Sequence, residues 1–142
     1  MTIETRPFGR IDIADEAVID FPRGLFGLED TRRYCLLPHG ESEGFFWLLS
    51  VDTPTIAMVV TDPFRFFPEY EVVIPDHEAD MLGASAADHV AIYTSVTVAR
   101  DSDQVTTNLL GPRAINHDAR RGLQLVQDGS QYTTRHPLSG QA

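Results

Sequence analysis

The side chains that could do metal chemistry cluster in one place: Asp76, His77, Glu78 and Asp80, followed by Asp88 and His89. Carboxylates and imidazoles are the usual ligands of zinc, and enough of them brought together by a folded helix could hold an ion. A simpler account is a helix starting near Asp76, with acid at its positive end and its charges turned to water. That account is preferred, and neither a metal site nor a cofactor is predicted. Cys35 stands between Tyr34 and Leu36 with no base at a fixed spacing. It reads as a small buried hydrophobe rather than a nucleophile, and as the only cysteine it has no internal disulfide partner. Neither G-x-S-x-G nor H-E-x-x-H occurs, and no glycine loop of the phosphate-binding kind. No catalytic residue is assigned. A metal-dependent or small-ligand enzyme on a small β-barrel, using the acidic helix and a histidine, is the alternative from another class.

The chemistry expected instead is that of binding, and it centres on residues 62–71, D-P-F-R-F-F-P-E-Y-E. Pro63 and Pro68 have no amide hydrogen for a sheet ladder, so the segment between them is a crossover or short turn. It holds three of the chain's eight phenylalanines. At least one should plug the core, and the others should form a partly exposed aromatic rim beside Glu69 and Glu71. Aromatic anchors ringed by charge are what protein interfaces favour. The candidate partner-binding set is Phe64, Arg65, Phe66, Phe67, Glu69, Tyr70 and Glu71, with Asn108 and Asn116 added. Those two amides sit in or just after apolar strands, where each must be hydrogen-bonded, to a turn or to a partner. A turn is the favoured of the two. Gln124, between Leu123 and Leu125, is expected to face solvent.

Short strands must position this crossover. Alternation and apolar runs predict them over 2–5, 9–13, 17–21, 34–37, 45–51, 56–61, 90–98, 105–110, 114–116 and 123–126, with 132–134 as an added edge. The run 45–51 (F-F-W-L-L-S-V) is apolar at every position but Ser50, as in a strand covered on both faces or a barrel wall. After the crossover the apolar pattern resumes over 70–74. Gly24 and Gly27 predict a tight turn, with one helical turn over 28–32. The main helix is expected to be capped by Asp76 and stopped by Gly83, with an extension or restart through 84–87. The fold class is therefore mainly β: a small antiparallel β-barrel-like or sandwich domain with one or two short helices. Residues 1–142 read as one domain, with a tail frayed from about 137.

Charge narrows the partners. The net charge is −10, and residues 1–103 hold 19 acidic and 7 basic side chains, net −12, against 2 and 4, net +2, in residues 104–142. An acidic body repels phosphates, so direct nucleic-acid binding is not expected, whereas a basic protein partner is favoured. Every basic residue but the histidines is arginine. No apolar run is long enough for a bilayer, and the N-terminal residues lack the order of a signal peptide, so a cytoplasmic protein without membrane contact is expected.

The stretch 62–71 resembles the central motif of the FliW family of bacterial flagellar assembly factors. The resemblance covers nearly the whole chain. Phe21-Pro22-Arg23-Gly24-Leu25-Phe26-Gly27-Leu28-Glu29 is similar to the family's F-x-x-G-L-x-G-F-E turn, with Leu28 where phenylalanine is more usual. Thr107-Asn108-Leu109-Leu110-Gly111-Pro112, Ile115-Asn116, Gly122-Leu123-Gln124, Tyr132 and Arg135-His136-Pro137-Leu138 follow in the family's order. The resemblance implies a β-barrel-like fold and a binding protein with two partners. One is CsrA, a small RNA-binding repressor whose grip on the flagellin message is relieved; the other is newly made flagellin, exchanged against it. The free protein is expected to be a monomer. A flagellin-specific chaperone without CsrA activity is the nearer alternative.

Overall fold

In the computed structural model, residues 1–41, 43–83, 90–99, 104–127 and 131–138 are described. The strands are β1 (Thr2–Thr5), β2 (Gly9–Asp12), β3 (Ile19–Asp20), β4 (Arg33–Pro38), β5 (Phe45–Ser50) and β6 (Ala57–Thr61). After helix α1 (Asp76–Met81) come β7 (Ala91–Val98), β8 (Val105–Thr107), β9 (Arg113–Asn116), β10 (Arg121–Gln124) and β11 (His136–Pro137). Pairing runs β7-β6-β5-β4-β3-β10-β9, and β9 returns to β7, which closes a seven-stranded ring. The mainly β, barrel-like expectation holds. Every pairing is antiparallel except the single contact of β10 with β3, Arg121 beside Asp20.

Strand β7 closes the ring by dividing its length. Ala91–Tyr93 pair with β9, Thr94 and Ser95 with β6, and Val96–Val98 leave the ring to pair with β8. Strand β11 adds to the far side of β8, so β8 and β11 form a flange beside the barrel. Thr94 and Thr107, both buried, meet where the flange begins: the Thr107 hydroxyl donates to the Ser95 carbonyl at 2.8 Å and lies within hydrogen-bond distance of Thr94 Oγ1, at 2.7 Å.

Alternation along the strands explains three apolar layers. Inside the ring, Tyr34, Leu48, Val60 and Ile115 pack with Ile19, Phe21 and Leu25. On the outer face of β4 and β5, Cys35 and Leu49 pack under Ile3 and Ile13 of the β1–β2 hairpin region. Successive side chains of a strand point to opposite faces, so β5 is apolar from Phe45 to Leu49 because both faces are covered. A third layer joins Leu82, just past α1, to Ala114, Leu123 and Leu125. Gly122, paired with Ile115, faces the ring interior instead and is glycine for a steric reason: a Cβ would lie 2.5 Å from Cζ of the buried Phe21 ring.

Several local expectations shift. Residues 28–32 make turns rather than a helical turn, because Arg32 gives its carbonyl back to the Phe21 N–H at 2.7 Å. The strand expected over 17–21 shortens to Ile19–Asp20 behind a 3-10 turn, Asp15–Ala17. Pro75, not Asp76, is the cap residue of α1, and Asp76 lies in the first turn with Glu78. The extension expected over 84–87 lies outside the described residues. The last edge is His136–Pro137 rather than 132–134. Pro137 pairs with Thr106, and Leu138 is buried and donates its N–H to Val105 at 2.8 Å, so the chain is held at the point where fraying was expected.

Candidate partner-binding surface

The crossover follows β6 directly. Asp62 accepts from the Phe64 N–H at 3.0 Å and so caps a 3-10 turn, Pro63–Arg65. Proline suits that first position because its missing N–H is one the turn does not use. The Pro63 carbonyl then accepts from Phe66 and Phe67 N–H at 3.1 and 2.8 Å. This tight path sends the three phenylalanines apart. Phe66 packs edge-on against Phe45 at 5.8 Å, and Phe67 against His136 at 5.8 Å. Both are half-buried, whereas Phe64 remains 40% exposed. No single phenylalanine is the plug; Tyr70 is. It is 5% exposed, its hydroxyl donates to the Leu109 carbonyl at 2.6 Å, and burial holds its phenol well above the usual range.

Rings connect the crossover to the flange. Phe64 lies 5.7 Å from Tyr70, Tyr70 lies 4.9 Å from Tyr132, and Tyr132 lies 6.2 Å from His136. The Tyr132 hydroxyl also accepts from the Glu71 N–H at 3.2 Å. Glu69 and Glu71 are exposed, and the exposed Arg65 pairs with Glu43 at 3.2 Å. Phe64, Arg65, Glu69 and Glu71 thus form one outward rim, and Phe66, Phe67 and Tyr70 sit below it as support.

The two asparagines serve the backbone. Asn108 Oδ1 accepts from Leu110 and Gly111 N–H at 3.0 and 2.9 Å. Asn116 is buried; its amide donates to the Leu82 carbonyl at 2.9 Å and accepts from Ala119 at 3.2 Å. Both amides pin turns, the favoured of their two readings, and Asn116 has no outward face to offer. Gln124 corrects the expectation of a solvent-facing side chain. It is buried, accepts from the Phe26 N–H at 2.8 Å and donates to the Gly111 carbonyl at 3.2 Å, which fixes the glycine turn that carries the exposed Phe26. Gln127 does the same for residues 70–74. Its amide takes both the N–H and the carbonyl of Val73, at 2.8 and 3.1 Å, so that stretch needs no strand partner and forms no strand. Two glutamines three apart in the apolar run L-Q-L-V-Q are the signal that could have found both.

Among the described residues no group of three or more His, Cys, Asp or Glu could hold a metal ion, and Asp88 and His89 of the acidic cluster lie outside them. Burial pushes the Cys35 thiol up to about 11, which suits a core residue. Arg113 is buried inside the ring, where burial lowers it to about 10 while it donates to the Gly111 carbonyl at 3.0 Å. No helix among the described residues is long and apolar enough to cross a membrane.

A small closed β-ring with a flanking helix, an outer flange and an aromatic rim defines the class: a β-barrel-like domain with no assigned catalytic group. The family profile described as FliW protein matches residues 2–138. The flagellar assembly factor FliW of Heliobacterium modesticaldum is 38% identical over 138 residues, 97% of this chain and 90% of that protein. Its counterpart from Syntrophomonas wolfei is 35% identical, over 97% of this chain and 88% of that protein. A crystal structure of the flagellar assembly factor FliW superposes with a TM-score of 0.89 at 33% identity, covering 97% and 96% of the two chains. The chain belongs to the FliW family of flagellar assembly factors, which is not a known enzyme family.

Proposed function

We propose that this chain is a cytoplasmic binding protein that takes up the RNA-binding repressor CsrA, relieves repression of flagellin synthesis, and exchanges that partner for flagellin. The observation that carries this reading is Phe64, an aromatic side chain left 40% exposed on a turn that is tightly braced from below. A rigid, exposed aromatic ringed by Glu69, Glu71 and Arg65 has the composition of an interface anchor. The net charge of −10 supports a basic protein as the partner and disfavours nucleic acid. In this reading the free chain is a monomer without a cofactor, and neither nucleic acid nor membrane is a partner.

The acidic residues are scattered singly and in pairs, not in a run that copies a phosphate backbone. The repressor's RNA affinity is therefore altered from a separate surface rather than blocked by mimicry. Linkage then requires RNA to weaken binding of this chain by the same factor that this chain weakens RNA binding. The test is a titration into CsrA at several fixed RNA concentrations. An apparent affinity that shifts and then saturates is expected; a shift that grows without limit means direct competition and overturns this mechanism.

A further inference from the structure

Beside the exposed Phe64 a cleft of about 310 Å³ opens between the crossover and the first residues of β7. Phe46, Phe64 and Tyr93 supply aromatic walls, Ile92 an aliphatic one, and Asp62 a carboxylate. Phe46 and Tyr93 stand edge to face at 5.6 Å, and the Tyr93 hydroxyl is held by His117 Nε2 at 2.9 Å, so these walls are fixed. One Asp62 oxygen caps the turn. Among the described residues no cation forms an ion pair with this carboxylate, and the nearby Arg65 is turned to Glu43 instead. Burial, and then the Asp62 charge, raise the Tyr93 phenol above its ordinary value, so the carboxylate's field reaches across the cleft.

We propose that this cleft receives an arginine side chain of a protein partner, its guanidinium on the Asp62 carboxylate and its plane against the aromatic walls. An aromatic lining with one carboxylate fits a cation better than a neutral apolar group. Arginine fits better than lysine because its planar guanidinium is weakly hydrated, stacks on rings and can still donate to a carboxylate. The acidity of residues 1–103, net −12, draws such a side chain in and repels an anionic one. The kind of partner, a basic protein, rests on the role proposed above; the cleft's chemistry can be tested without it.

The experiment titrates N-acetyl-L-arginine amide into the ¹⁵N-labelled full chain and follows amide shifts, with the lysine and norleucine amides in parallel. Saturable shifts at Asp62, Phe64 and Tyr93 are expected with arginine, weaker ones with lysine and none with norleucine. Asp62→Asn keeps an oxygen for the Phe64 N–H, so the turn should stay capped while arginine affinity falls about fivefold (about 1 kcal/mol). Equal shifts with norleucine, or no saturable shift at these amides, would overturn the proposal. Either result is independent of CsrA binding, which the wild-type chain would still be free to show.

Discussion

Two tyrosines make the residue-scale case, because each is buried and only one is bonded. Tyr70 donates to the Leu109 carbonyl, whereas the Tyr34 hydroxyl finds no hydrogen-bond partner among the described residues. Tyr70→Phe keeps the ring but strands a buried carbonyl, and should cost about 1–2 kcal/mol of folding free energy. Tyr34→Phe removes a buried hydroxyl that was already unpaired, and should leave stability unchanged or raise it by up to about 1–2 kcal/mol. Urea unfolding of both variants checks the pair; a Tyr34 variant that suffered more than the Tyr70 one would mean the crossover plug is misplaced. Residue types alone could name Tyr70 as part of the site but not as its plug. The plug depends on which ring points inward, and that is decided by the Asp62 cap and two prolines acting together. Nor does a single glutamine reveal its burial: Gln124 reads as a surface residue until it is taken together with Gln127, three positions on in the same apolar run.

At the scale of elements, the flange should respond to acid. His136 accepts from the Thr133 N–H through Nε2 at 2.8 Å, a role only the neutral ring can fill, and burial lowers its affinity for a proton. The unfolded chain takes up that proton near the ordinary value of 6.5, while the folded ring resists it. Its contribution to stability is therefore present above that pH and is lost as pH falls through the folded value. Hydrogen exchange at the Thr107 and Leu138 amides, corrected for intrinsic rate, should lose protection between pH 7 and 5, and β5 should not. Unchanged protection in the flange would show that His136 is not its latch. Most of the barrel strands were legible because their signal is local: β5 and β6 are apolar runs closed by turns. The 70–74 stretch was not, because its pattern is that of a strand while its backbone partners are side chains from 54 and 61 residues away. Closure of the ring was likewise hidden, since one strand, β7, pairs with three others along its length.

The whole molecule adds a long-range term to the short-range anchor. With a net charge of −10, encounter with a basic partner should be steered by charge, whereas the complex should be held by the apolar contact at Phe64. Raising salt should slow association more than it speeds dissociation, which stopped-flow mixing can separate; the reverse pattern would place the holding energy in ion pairs. The most direct measurement is calorimetric titration of CsrA with the wild-type chain, with Phe64→Ala and, as a control, with Glu41→Ala at an exposed residue between β4 and β5, beside a thermal melt of each. Phe64 is too exposed for its loss to damage the fold much, so its melting temperature should stay close to wild type. The account predicts saturable wild-type binding, an unchanged Glu41→Ala, and affinity about tenfold or more weaker in Phe64→Ala. A wild-type chain that does not bind CsrA, or a Phe64→Ala variant that binds as tightly as wild type, would contradict it.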